Sequence, residues 1–341
     1  MLVLLLVDSE GNLFFFCGPF ANPKFLQSYS PPFSCCHCCC CFVLLILFVL
    51  LSLSLSPPLA TFRRDFSTVG LYAHRFGASG SGDGEFKDPR SIAVIPDSGN
   101  LIVADSFNHR VQVFDKSGGF LFKFGVKGSG PGQFNCPCSV TFDPNSRHII
   151  VSDTDNNRLQ FFDEKGTFVR VMGSYGARDG QFDSPYGVAV DPETGNLVVC
   201  DYGHSMIQIL RSNGQFVRKF GTSGSGNGQF SKPVDVAVLS NGHIVVTENG
   251  NNRVQVFDGQ GAFVGVIGAG QVVRPWSLFV DSDDHILVSD EGNNCVQVFN
   301  QQGEVVARLG DGQVCFPKGV ALDTEGRVLI SDTDTHGISI F

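Results

Sequence analysis

Six acidic residues recur along this chain at near-constant spacing, and a carboxylate repeated in register is the first feature to test for chemistry. They are Asp105, Asp153, Asp201, Glu248, Asp290 and Asp332, separated by 48, 48, 47, 42 and 42 residues. Carboxylates can serve as general acids or bases, or hold calcium. A single active site, however, calls for an asymmetric set, and six symmetric copies suit a scaffold. At a strand end a carboxylate accepts backbone N–H bonds and fixes the following turn. Arg110, Arg158 and Arg253 each follow their acidic residue by five positions. They read as its structural partners or as ties between units. No catalytic residue, metal or cofactor is expected from this set.

Two other residue classes invite chemistry. The runs Gly80-Ser81-Gly82-Asp83-Gly84, Gly128-Ser129-Gly130-Pro131-Gly132 and Gly224-Ser225-Gly226-Asn227-Gly228 superficially resemble phosphate-binding loops. They recur once per unit, precede no helical pattern and lack the Gly-Lys-Ser/Thr ending, so the helix N-terminus that would hold phosphate is missing. They read as turns between units. His109, His204 and His336 fall in the turns after the acidic positions, and His148, His243 and His285 at the beginning of the runs that end on them. These do not form a convergent set, and no Ser/His/Asp or Cys/His arrangement follows from spacing. The chain is not expected to be an enzyme.

The elements that must carry these residues are short strands. Each acidic residue ends an apolar run such as LIVAD at 101–105, and a second strand such as RVQVF at 110–114 follows. RVQVF and RLQFF alternate apolar and polar side chains, the period of a strand with one buried face. SIAVI at 91–95, GVAV at 187–190 and DVAVL at 235–239 are more continuously apolar and suit inner strands buried on both faces. With 40 Gly, 32 Phe and 17% charged residues, the composition fits tight turns and buried strands. A repeat of this length holds about four strands and means a propeller or an array.

The ends of the chain show how the ring closes. The sixth unit begins near Pro317 and stops at Phe341 after three strands. Its fourth lies at the other end, where Gly70, Tyr72, Phe76 and Gly77 align position for position with Gly214, Phe216, Phe220 and Gly221. The expected fold is all-β, a six-bladed β-propeller over residues 66–341, its last blade completed by the N-terminal strand near 70–76. Such closure leaves no open sheet edge.

In a propeller the loops leading into the innermost strands surround one mouth of the central channel. The residue after each repeated proline is therefore presented six times around that opening: Arg90, Cys138, Tyr186, Val234, Trp276 and Lys318. Arginine and lysine can neutralise phosphate while tyrosine and tryptophan stack on bases. The same side chains also serve as anchors in protein interfaces. Arg90, Tyr186, Trp276 and Lys318 are the candidate binding residues, with Phe107 and Tyr202, in loops after the acidic positions, as further candidates.

The repeat, with Asn-His-Arg-Val-Gln-Val-Phe at 108–114 as its clearest copy, resembles the NHL repeat, and residues 70–341 resemble the six-bladed propeller of TRIM-NHL proteins. The resemblance implies a recognition platform, with RNA as ligand in some members and protein partners in others, often beside a RING ubiquitin-ligase module. No spaced Cys/His zinc set, B-box, coiled coil or filamin-type domain is seen before the repeats, so ligase activity is not expected of this sequence. Propellers of similar repeat type also include a lyase with channel-lining histidines and a metal, an alternative that the scattered histidines here disfavour. Charge bears on the choice of ligand. From residue 70 onward 21 Lys and Arg face 30 Asp and Glu, a net of −9, whereas a non-specific nucleic-acid binder is expected to be basic. Protein partners, including substrates for ubiquitination, are favoured, and a sequence-selective RNA-binding repressor is the alternative.

Residues 1–65 need a separate account. They are rich in Cys, Leu and Phe, and an apolar core at 38–55 is long enough for a membrane span. Arg63 and Arg64 follow it and only Lys24 precedes it, which would place the propeller in the cytosol. Adjacent cysteines cannot all face one ion, so a zinc site is not expected. Three readings stay open: a translated pyrimidine-rich tract ahead of a splice acceptor, a membrane anchor, or palmitoylated cysteines. Cys136, Cys138, Cys200, Cys295 and Cys315 are odd in number and scattered, which is no disulfide framework and points to a cytoplasmic location.

Overall fold

The structure, a computed structural model, describes residues 3–7, 13–17, 66 and 72–341. The chain divides into two compact units, Met1–Phe62 and Arg63–Phe341. In the first, strands Val3–Val7 and Leu13–Cys17 pair antiparallel. The apolar core at 38–55 lies outside the described residues. Among the described residues no helix is long and apolar enough to cross a membrane.

The second unit is a six-bladed propeller, each blade a four-stranded antiparallel meander. The inner strands are Pro89–Val94, Pro137–Asp143, Pro185–Val190, Pro233–Val238, Pro275–Val280 and Pro317–Leu322, and each packs beside the inner strand of the next blade. Blade 6 has three strands from the C-terminus and takes its fourth, His74–Phe76, from the other end. The register is His74 opposite Ile340 and Phe76 opposite Ile338. Three single turns of 3-10 helix, Ser106–Asn108, Thr154–Asn156 and Glu291–Asn293, follow Asp105, Asp153 and Asp290.

Burial redistributes the roles expected of the strands. Four of the six inner strands are only partly buried toward their ends, at Ala93 and Val94 for example, because they line the central channel. The third strands, with their alternating pattern, are buried on both faces. Gln112 is fully buried because its amide donates to the Glu85 carbonyl at 2.7 Å and accepts from the Gly84 N–H at 3.0 Å. A buried amide with its partners in place costs little, so polarity at that position does not signal solvent. The alternation of a half-buried sheet falls instead on outer strands such as Phe120–Phe124.

Between blades, phenylalanines form the glue. Phe86, Phe134, Phe182 and Phe230 are fully buried, each worth roughly 1.5–3 kcal/mol of burial. Phe124, Phe134 and Phe162 stack at 4.6–6.3 Å. Gly125 makes room for one of these rings. It has φ +89°, and a Cβ there would run into the Phe134 ring.

The repeated carboxylates build each turn. Asp105 accepts from the Lys87 N–H at 2.7 Å, Asn108 at 2.9 Å, Arg110 at 2.7 Å and Gln112 at 3.2 Å. Arg110 continues to the carbonyls of Ser81, Gly82 and Glu85, in the loop joining blade 6 to blade 1. Asp153 with Arg158 and Glu248 with Arg253 repeat the arrangement. The glycine loops are turns whose N–H groups are already used. Gly82, Gly130 and Gly226 donate to Glu85, Gln133 and Gln229.

Candidate recognition surface at the channel mouth

Each inner strand begins with a proline preceded by a residue in the left-handed region: Asp88, Cys136, Ser184, Lys232, Arg274 and Phe316, with φ of 52–59°. Residues before proline favour extended backbone, so this conformation needs outside support. At five of the six it comes from the preceding blade. The Cys136 N–H donates to His109 Nδ1 at 3.0 Å, the Asp88 N–H to His336 Nδ1 at 3.3 Å, and the Ser184 N–H to Asn157 at 2.7 Å. Arg274 and Phe316 are held in the same way by Asn252 and Asn294. His109 and His336 therefore act in the scaffold. Burial and nearby Lys127 lower the His109 pKa, which keeps Nδ1 free to accept.

These supports aim the residue after each proline at one opening, and the structure brings all six sequence-predicted residues together there. Arg90 is central, its side chain only 12% exposed. Its Nε and Nη2 lie 2.6 Å from Asp88 Oδ2, while Nη1 donates to Cys138 Sγ at 3.2 Å, Tyr186 Oη at 3.3 Å and Cys136 Sγ at 3.6 Å. Its guanidinium carbon is 4.9 Å from the Phe107 ring centroid and 5.8 Å from that of Trp276. Tyr186 stacks on Tyr202 at 4.8 Å and meets Trp276 edge-on at 6.0 Å. Lys318 Nζ sits 3.3 Å over the Trp276 ring and 3.7 Å from Glu291. Phe107 is the most open member, 48% exposed.

Electrostatics inside the cluster are self-contained. Burial opposes the charge on Arg90, but Cys138, Asp88 and Tyr186 around it raise its pKa and fix the guanidinium as a cation. Burial lowers the Lys318 pKa, with Glu291 acting against that shift. Burial and Cys138 raise the Tyr186 pKa, so its hydroxyl stays protonated. Sequence reasoning missed Asp88, Glu291 and Cys136, which complete the set; the left-handed residue before each proline was the place to look.

Beneath the ring, a void of about 10 Å³ touches Arg90, Cys138, Tyr186 and Asp235. Below it, a channel cavity of about 430 Å³ is walled by all six inner strands. Beside the mouth, a cleft of about 600 Å³ runs along Ser79, Lys87, Phe107, Asn108, Thr333 and His336.

Comparison with known proteins agrees with this architecture. The family model "NHL repeat" matches residues 86–114, 230–257, 273–299 and 314–341. The chain is similar to the protein brain tumor of Drosophila melanogaster, 39% identical over 71 residues, covering 21% of this chain and 6% of that protein. It is also similar to the protein lin-41 of Caenorhabditis elegans, 54% identical over 46 residues, and to the B-box type zinc finger protein ncl-1 of the same organism, 46% identical over 50 residues. These matches span 4% and 6% of the two worm proteins and 14% and 15% of this chain. Among solved structures, a streptogramin B lyase superposes with a TM-score of 0.56 at 15% identity over 78% of this chain and 96% of that one. The nidogen/laminin complex gives 0.56 at 16% identity over 66% of this chain and 81% of that one. At such identity these two show the shared fold alone. The chain thus carries a six-bladed propeller of NHL repeats, of the type found in TRIM-NHL proteins.

Proposed function

We propose that the propeller, taken as a domain spanning residues 66–341, is a non-catalytic recognition platform that binds a protein partner across the channel mouth and the adjoining cleft. The observation that carries this reading is the state of the two cations. Arg90 is tied to Asp88 and the thiols, and Lys318 to Trp276 and Glu291, so neither is free to neutralise phosphate. What the face offers a ligand is aromatic area at Phe107, Tyr186, Tyr202 and Trp276, the type of surface that anchors protein interfaces. The acidic balance of the chain supports the same choice. In a TRIM-NHL-like regulator, such a platform would select the target that a ubiquitin ligase modifies. Free thiols at Cys136, Cys138, Cys200, Cys295 and Cys315 support a cytoplasmic setting.

The stacked Tyr186 and Tyr202 pair favours a second reading, sequence-selective binding of single-stranded RNA. One experiment separates the two. The full chain and an F107A/Y202A variant are panned against a displayed random peptide library and, in parallel, a random RNA pool. A peptide motif enriched by the native protein, and weakened about tenfold or more in the variant, is the expected result. An RNA motif lost in the same variant, with no peptide enriched, would replace the protein-partner reading.

A further inference from the structure

Cys136 and Cys138 hold two thiols at the channel mouth that the binding role leaves unexplained. Cys136 lies in the left-handed turn before Pro137 and Cys138 at the start of the inner strand, and both turn their sulfurs toward Arg90. Their Sγ atoms lie 3.8 Å apart. Arg90 Nη1 reaches Cys138 at 3.2 Å and Cys136 at 3.6 Å, a cation facing both sulfurs. A void of about 10 Å³, the least space that holds one water, touches Cys138. We propose that Cys136 and Cys138 form a peroxide-reactive dithiol that closes reversibly to a disulfide beside Arg90.

The two sulfurs have different parts in the reaction. Burial raises the Cys138 pKa, but the hydrogen bond from Cys136 and the Arg90 charge outweigh it and lower it, which favours the thiolate. The Cys136 thiol is held well above its usual range by the hydrogen bond to Cys138 and by burial. Cys138 sulfur attacks one oxygen of the hydroperoxide, the O–O bond breaks, and the leaving oxygen takes a proton from solvent as water or alcohol. Cys138 is then a sulfenic acid, oxidised by two electrons while the hydroperoxide is reduced by two. Cys136 sulfur next attacks Cys138 sulfur, the S–O bond breaks, and the departing hydroxide leaves as water with the Cys136 proton. A thiol reductant reverses the bond by exchange. Closure needs the sulfurs to move from 3.8 Å to about 2.05 Å.

Other cysteines serve as internal controls. Burial pushes Cys200 well above the usual thiol range and Cys295 up to about 11, while Cys315 is exposed. Tryptic cleavage after Lys127 and Arg147 gives a peptide, Gly128–Arg147, that contains Cys136 and Cys138 and no other cysteine. The folded full chain is treated with stoichiometric hydrogen peroxide, alkylated, digested and mapped by mass. The expected result is that this peptide loses two hydrogens before Cys315 is consumed and regains them with dithiothreitol. In C136S, dimedone labels Cys138 as the stranded sulfenic acid. Arg90→Gln slows the reaction about tenfold and Arg90→Lys much less, with melting curves confirming that each variant is folded. A Gly128–Arg147 peptide that keeps both thiols while Cys315 oxidises overturns the proposal. So does passage to sulfinic acid without the disulfide, or an unchanged rate in folded Arg90→Gln.

Discussion

At the residue scale, Asp235 shows how one side chain can set a pH dependence. Blades 1, 2 and 5 place a serine at this position in the inner strand, and Ser91 accepts the Val140 N–H of the next blade at 3.1 Å. Asp235 does the same for the Leu278 N–H at 3.0 Å and also takes the Ser277 hydroxyl at 2.6 Å. Burial outweighs these donors and raises its pKa to about 6. The folded state therefore holds the proton more tightly than the unfolded chain. The resulting stabilisation is complete below pH 4 and is lost as pH rises through 6, about 3 kcal/mol in all. Urea titrations at pH 4 and pH 7 should show that loss in the native protein relative to Asp235→Ser, in which a serine takes over the Leu278 contact. An equal difference between the two proteins at both pH values would refute the assignment. The position was visible in DVAVL as an acid within an apolar run, but its burial depends on the neighbouring blade, which no local pattern contains.

At the element scale, the repeated turn after each acidic residue is one device built to different strengths. Around Asp105 four donors converge and Arg110 extends the network to the interblade loop. Asp332 has Gly337 and Ser339 where blade 1 has Arg110 and Gln112, and among the described residues its carboxylate accepts the N–H groups of Cys315, Asp334 and Thr335. Asp105→Ala should therefore cost about 3–5 kcal/mol, since it strands a buried guanidinium. Asp332→Ala should cost about 1–2 kcal/mol. Chemical denaturation of the two variants checks the order. Spacing alone made the scaffold role of these carboxylates legible, together with the pairing of Arg110, Arg158 and Arg253. The alternation in RVQVF misled for a physical reason: Gln112 is polar because it bonds inside the blade, whereas solvent-facing alternation lies in the outer strands.

At the scale of the whole molecule, closure of the ring was the most legible feature, because a missing strand at one end and a surplus one at the other leave a single solution. The mouth was half legible. The rule of one residue after each proline found Arg90, Tyr186, Trp276 and Lys318, but their mutual contacts come from six blades converging and lie beyond any one repeat. Deleting residues 72–76 should leave Gly337–Ile340 as an open edge and strip Phe76 from Phe86 and Phe114, which it meets at 6.5 and 5.0 Å. Size-exclusion chromatography should then show oligomers or aggregate where the native protein gives a single species. The same seam has a mechanical side. His74 lies opposite Ile340, so residue 72 and Phe341 lie at the same end of this seam. Tension applied between those two residues would load the rungs one after another, as in a zipper, instead of all at once in shear. A seam zipped in this geometry would thus open under a smaller pull than one loaded in shear.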